Sequence, residues 1–286
     1  SSGDVKYWSN AGEVSNKGVD LNVTAHVIQT KDFQWTTTIN ASYLKNEVTK
    51  LTAQSPRLYG EKPSAGSVDP CTIITKGEAI GTFYGFKWAG VEKNADGHFV
   101  DMYYKADGTK TDNPNKDTDR FVLGHANPDV TVGWNNAITY KNWEFNAFFN
   151  GAFGAKRLNL VRYSMNSTPG ASPFVTDKDY FSQVGITMPT YGKGKSYGNS
   201  SKWLENADYF RCENISVAYT LPRSMMKFAD VRLSFSAQNL FTITGYKGID
   251  PAGIAFSDVN VDNNNGIDMG AYPNPRTFTF GVRLSF

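Results

Sequence analysis

Residues 129–151, DVTVGWNNAITYKNWEFNAFFNG, decide the fold. Side chains along an extended chain point alternately to its two sides, so Val130, Val132, Trp134, Ile138 and Tyr140 fall on one side. After the two residues Lys141 and Asn142 the alternation resumes, with Trp143, Phe145, Ala147 and Phe149 in phase. Two such runs separated by two turn residues predict a tight antiparallel hairpin. Its other side carries Thr131, Asn135, Asn146 and Asn150. One face is therefore apolar and the other wet.

The same two-residue period recurs on both sides of this hairpin. In 17–29, KGVDLNVTAHVIQ, the apolar set is Val19, Leu21, Val23, Ala25 and Val27, opposite Asp20, Asn22, Thr24 and His26. In 33–43, FQWTTTINASY, it is Phe33, Trp35, Ile39, Ala41 and Tyr43, opposite Gln34, Thr36, Thr38, Asn40 and Ser42. Towards the end come 209–221 (Ile215, Val217, Tyr219), 231–240 (Val231, Leu233, Phe235, Ala237) and 277–286 (Phe278, Phe280, Val282, Leu284, Phe286). The links between the runs sort into two kinds. Those at TKD, KN and PRSMMKFAD are short, whereas those at about 47–127, 155–207 and 242–276 are long, polar and rich in Gly, Asn and Asp.

Short and long links in alternation predict an antiparallel transmembrane β-barrel, with short turns on the periplasmic side and long loops outside. A secreted, soluble β-sandwich that binds or hydrolyses glycans is the alternative; its apolar faces would turn inward on a core. Trp35, Tyr140, Trp143 and Tyr219 cluster near the short turns, where amphipathic rings mark a membrane boundary. The stretch 78–91, EAIGTFYGFKWAGV, is also extended, but parity across 47–127 requires an even number of crossings. It is expected to be half of an extracellular hairpin, partnered by 97–104, GHFVDMYY; two extra membrane strands are the alternative.

Composition is consistent with this. Aromatic residues are 14% of the 286, yet the mean hydropathy is −0.43, as alternation with a wet side would give. A net charge of +2 leaves no footprint for nucleic acid. No stretch approaches the length of a membrane helix, roughly 18 apolar residues. The opening residues lack a leader pattern, which is expected of a mature form, an internal piece or a cytosolic protein.

Catalytic chemistry has few candidates. His26, His98 and His125 stand in no metal-binding spacing, and there is no nucleophile-elbow motif. Residues 191–201, YGKGKSYGNSS, are Gly-rich without phosphate-loop spacing. The acidic stretches 93–99, 111–120 and 258–270 offer hard oxygen ligands, with Asp117 and Asp119 the tightest pair, but none follows the EF-hand order. The expectation is no catalytic residue and no cofactor, with calcium in an extracellular loop as the alternative. Cys71 and Cys212 show no zinc spacing, and a bond between them is left open. Asn22, Thr38, Asn40, Asn146, Asn150, Asn214 and Ser236 are expected to face a lumen, where hydrogen-bonding walls suit large neutral solutes.

Several stretches together resemble one family. Residues 10–23, NAGEVSNKGVDLNV, are similar to the N-x-G-x-x-x-N-x-G-(V/F)-(E/D) segment of the SusC/RagA-type TonB-linked outer-membrane transporters of Bacteroidetes. So are 77–91 (GEAIGTFYGFKWAGV), 124–154 (GHANPDVTVGWNNAITYKNWEFNAFFNGAFG), 209–222 (YFRCENISVAYTLP), 237–251 (AQNLFTITGYKGIDP) and 276–286 (RTFTFGVRLSF), in the family's order. Ala79, beside Ile80, stands where the family often has Pro, and Cys212 replaces a usual aliphatic residue.

The resemblance implies the C-terminal segment of a larger barrel, of about 22 strands. It implies an outer-membrane location in contact with lipid, and uptake of an oligosaccharide or peptide under a SusD-like surface lipoprotein. Energy would come from the TonB complex, acting through an N-terminal part not included here. Phe278, Phe280, Val282, Leu284 and Phe286 would form the barrel-assembly signal.

Overall fold

The computed structural model describes residues 12–53, 56–60, 62–63, 68–95, 97–166, 196–226, 229–253 and 265–286. The first hairpin is β1 (Gly12–Gln29) and β2 (Phe33–Leu51). The described residues of the connection after it form seven short strands: β3 (Arg57–Tyr59), β4 (Thr72–Thr75), β5 (Thr82–Phe86), β6 (Trp88–Lys93), β7 (Phe99–Tyr104), β8 (Lys110–Thr111) and β9 (Arg120–His125). The second hairpin is β10 (Val130–Tyr140) and β11 (Trp143–Phe153). Then come β12 (Lys156–Asn159), the helix α1 (Leu160–Asn166), β13 (Leu204–Asn206), β14 (Tyr209–Thr220), β15 (Asp230–Thr244), β16 (Ile267–Asp268) and β17 (Thr277–Ser285).

The alternating runs make one antiparallel seven-stranded sheet in the order β1-β2-β10-β11-β14-β15-β17. Sequence neighbours are spatial neighbours throughout, as hairpin closure favours. The links 30–32, 141–142 and 221–229 lie at one end of this sheet, and 52–129, 154–208 and 245–276 at the other. Lys141 makes the tightest turn by taking a φ of 52°.

One face carries the apolar rows. Val23, Ile39, Trp134 and Phe149 stand opposite one another across four strands. Trp35, Ile138, Phe145, Val217, Phe235 and Phe280 do so two levels nearer the short links. These side chains are not packed beneath a second layer: on interior strands Ile39 is 46% exposed and Trp134 40%. A sandwich would bury them. Two indole N–H groups on this face find their partners within it, as an apolar environment would require. Trp35 Nε1 donates to Asn136 Oδ1 at 3.2 Å, and Trp134 Nε1 to Thr37 Oγ1 at 2.9 Å.

Near the short links, Phe33, Tyr140, Trp143 and Tyr219 form a continuous aromatic row, with Trp143 and Tyr219 rings 4.6 Å apart. β10 has 11 residues. At ~3.4 Å per residue and a tilt near 45° such a strand climbs roughly 25 Å, the height of an outer-membrane apolar band. No helix among the described residues is long and apolar enough to cross a membrane.

The structure departs from the sequence reading in several places. β2 continues to Leu51 and β15 to Thr244, because β1 and β2 go on pairing to Gly12 and Leu51 and β14 and β15 to Tyr209 and Thr244. A bulge at Val27 sets Ile28, not Val27, opposite Trp35. Residues 78–91 are not one strand. β5 pairs with β4 and β9, while β6 pairs with β7 in a separate sheet, the chain switching partners at Lys87. The expected hairpin is thus β6 with β7 alone. The helix α1 was not anticipated, and Cys71 and Cys212 are both buried and unpaired.

The three long connections share one hydrophobic core. Cys71, Phe83 and Ala126 from the first, Leu158, Leu160 and Trp203 from the second, and Ile267 from the third are each 3% exposed or less. β12 draws the second and third together by pairing in parallel with β16, Leu158 opposite Ile267.

Candidate functional site

The polar face of the large sheet is built by the same alternation that makes the apolar one. Register places Asn22, Asn40, Gly133, Asn150 and Arg211 in one cross-strand row. The next row is Thr24, Thr38, Asn135, Phe148, Asn214 and Gln238; the one after it holds Ala137, Asn146, Ser216 and Ser236. The seven polar residues singled out from the sequence therefore lie together on one face, in three adjacent rows. Asn214 keeps its place although Glu213 bulges out of register beside it. Phe148 breaks the polar pattern; it lies by Gly133, the one residue in these rows without a side chain to obstruct it. Lower on this face, Arg232 grips the Glu144 carboxylate with both terminal nitrogens, at 2.5 and 2.8 Å.

Where this face meets the long connections, buried charges tie them together. Arg211 on β14 donates from Nη2 to Asp250 Oδ1 at 2.6 Å and from Nε to Thr242 Oγ1 at 2.9 Å. Arg157 on β12 donates from Nε to the Pro251 carbonyl. Tyr246 Oη donates to Asp268 Oδ2 at 2.5 Å, and Asp268 Oδ1 accepts the backbone N–H groups of Gly270 and Ala271. Burial, reinforced by Asp268, pushes the Tyr246 phenol far above its ordinary range; burial also lowers the Arg157 guanidinium, against the pull of Tyr246 and the surrounding carboxylates.

Sequence reasoning missed this clasp. Its signal was present in the Y-x-G-x-D-P block, Tyr246 to Pro251, and in Arg211 of the β14 block.

Asp119 is occupied by its own loop. Its oxygens accept the N–H groups of Asn115 at 2.8 Å and Ala106 at 3.1 Å, and these bonds hold its carboxyl below the usual range. Asp117 is exposed, with its backbone N–H on Asn115 Oδ1. Among the described residues no three His, Cys, Asp or Glu side chains gather as a metal site would require. His26 touches Thr36, His125 bonds the Asn127 carbonyl, and His98 belongs to a turn closed on Asn94. Burial pushes the Cys71 thiol well up, away from a reactive thiolate. Residues 191–195 of the Gly-rich stretch and 258–264 of the last acidic stretch lie outside the described residues.

Comparison with known proteins agrees with this wall. No family model matches the chain. A TonB-dependent receptor, P3, from Formosa agariphila is 32% identical over 97% of the chain. TonB-dependent receptor SusC from Bacteroides thetaiotaomicron is 27% identical over 97%. The chain belongs to the SusC/RagA-type TonB-dependent receptors.

It spans 29% of the length of the first relative and 27% of the second. Among solved structures, the RagAB peptide importer in its closed-closed state superposes with a TM-score of 0.74 at 25% identity, covering 97% of this chain and 30% of that one. A further RagAB peptide transporter structure gives 0.75 at 24% identity, over 96% and 29%. The seven-stranded sheet is thus part of a TonB-dependent barrel.

Proposed function

We propose that this chain is the C-terminal part of the wall and outer loops of an outer-membrane transporter of about 22 strands. The whole protein takes up a large nutrient, an oligosaccharide or a peptide, by TonB-dependent transport beneath a SusD-like surface lipoprotein. The observation that carries the reading is the division of one sheet into a bare apolar face edged by aromatics and a face of carboxamides and hydroxyls. The first suits lipid and the second a wet lumen. On this reading Asn22, Thr38, Asn40, Asn146, Asn150, Asn214 and Ser236 face the lumen. Phe278, Phe280, Val282, Leu284 and Phe286 face lipid on the strand that assembly machinery reads.

The long connections would lie outside, fused by their common core into a cap that meets the lipoprotein lid. This segment supplies wall and lid contacts and holds no catalytic role or cofactor. Membrane fractionation of the native source, followed by intact mass of the species carrying this sequence, tests the reading. An outer-membrane protein several times larger than 31.6 kDa, co-purifying with a lipoprotein, is expected. A soluble 31.6 kDa species would overturn it.

A further inference from the structure

In the 52–129 connection a single carboxylate holds three cations. Lys116 Nζ lies 2.7 Å and Arg120 Nη2 3.3 Å from Asp69 Oδ2, and Lys62 Nζ lies 3.6 Å from Oδ1. Arg120 is the buried member, with its side chain 9% exposed and its guanidinium over the Phe86 ring at 5.6 Å. Its Nε has no hydrogen-bond partner. Buried guanidinium groups are ordinarily satisfied by a bidentate carboxylate, so one long bond to a shared oxygen leaves this one short of negative charge.

The other two cations are differently placed. Lys62 and Lys116 are 69% and 60% exposed, and each ammonium has three donors of which Asp69 engages few. Beside them, the ring of Tyr197 packs on Phe86 with centroids 4.6 Å apart, and its phenol senses both Lys116 and Asp69. Asp112 also acts on Tyr197 and offsets part of the surplus. Counting it, three cations still face two carboxylates.

We propose that Lys62 and Lys116, backed by Arg120, form a binding site for the anionic group of a solute, a carboxylate or sulfate, with Asp69 holding the cations in its absence. The surplus is confined to the reach of one carboxylate and flanked by the Phe86 and Tyr197 rings. That footprint matches an acidic sugar or side chain, whereas a protein interface spreads over roughly 800 Å² on each partner. The inference rests on reading the 52–129 connection as the outward-facing part of a transporter, and it narrows the solute to one that includes an acidic unit.

Equilibrium dialysis of radiolabelled sulfate against the purified full-length protein at low ionic strength tests it. Saturable binding is expected. Lys62→Gln with Lys116→Gln weakens it about tenfold, as loss of two nearby charges should, while Asp69→Asn, which removes the internal competitor, tightens it. Galacturonic acid should compete with sulfate and galactose should not, which separates an acidic sugar from the bare ion.

Binding equal in the native protein and the double variant, or no saturable binding, overturns the proposal and leaves the cluster as an internal brace. Because both lysines are exposed, the variants are expected to fold, and thermal unfolding verifies this. Sulfate binding does not depend on transport, so its failure is distinct from a failure of the fractionation test.

Discussion

Arg211 on the wall strand β14 and Asp250 in the 245–276 connection form an ion pair at 2.6 Å, with side chains 6% and 7% exposed. A pair so buried is expensive to break from one side, because the survivor keeps its charge without a partner. Arg211→Met should therefore destabilise the protein by about 3–5 kcal/mol, whereas Arg211→Met with Asp250→Leu should cost less than the single change. Thermal unfolding of the full-length protein in detergent measures both. Faster proteolysis at 245–253 in the single variant would place the damage at the clasp. A double variant as damaged as the single one would count against this account.

Gly85 lies where two connections touch. A Cβ there would stand 1.7 Å from the Asn199 carbonyl oxygen, and the neighbouring Phe86 N–H donates to that same oxygen at 3.0 Å. The obstacle is backbone, which cannot rotate aside. Gly85→Ala should separate the β5 sheet from residues 199–201 and cost on the order of 1–3 kcal/mol. Hydrogen exchange at Phe86 and Ser201 should accelerate. Gly97→Ala is not an equivalent control, since its φ of 79° would add strain of its own. Gly245, with nothing near its Cβ position and no left-handed φ, is the better control and should tolerate Ala.

Tyr246 gives the protein an alkaline limit. Its phenol is held protonated by burial and by the bond to Asp268, so its folded pKa lies above the unfolded value near 10. Above that value the unfolded chain binds fewer protons than the folded one, and stability falls as pH rises. The contribution is complete below about pH 10 and declines above it. Tyr246→Phe should flatten this part of the stability curve. It should also lower stability at neutral pH by about 1–3 kcal/mol, because a buried Asp268 oxygen loses its donor. Unfolding midpoints between pH 8 and 11 distinguish the two effects.

The wall was legible in the sequence because its rule is local. Whether Asn40 shares a face with Asn22 or Asn150 follows from counting in twos along strands whose turns fix the register. The bulge at Val27 escaped, since His26 to Ile28 reads as unbroken alternation in either register. The long connections obey no such rule. Their strands are short, and residues 78–91 look like one extended piece until the separate partners of β5 and β6 divide them. Arg211 finds Asp250 only after the chain has returned through another wall strand, a contact that no spacing encodes. The shared core is hidden for the same reason: Phe83, Leu158 and Ile267 come from three separate connections.

The division of faces itself can be tested by one charge placed on either side. Val23 sits in the apolar row with Ile39 and Trp134, and the adjacent Asn22 sits in the polar row with Asn40. Arginine at a lipid-facing mid-membrane position costs about 2–4 kcal/mol, because its charge must leave water or deform the bilayer to stay hydrated. On a wet wall the same side chain remains solvated, and Asn22 already lies beside polar neighbours. Val23→Arg should thus reduce the amount of folded, heat-modifiable protein in the outer membrane and lower its unfolding midpoint, while Asn22→Arg leaves both close to native. Equal tolerance at the two positions would mean that the apolar face does not meet lipid, and the sandwich reading would have to be reopened.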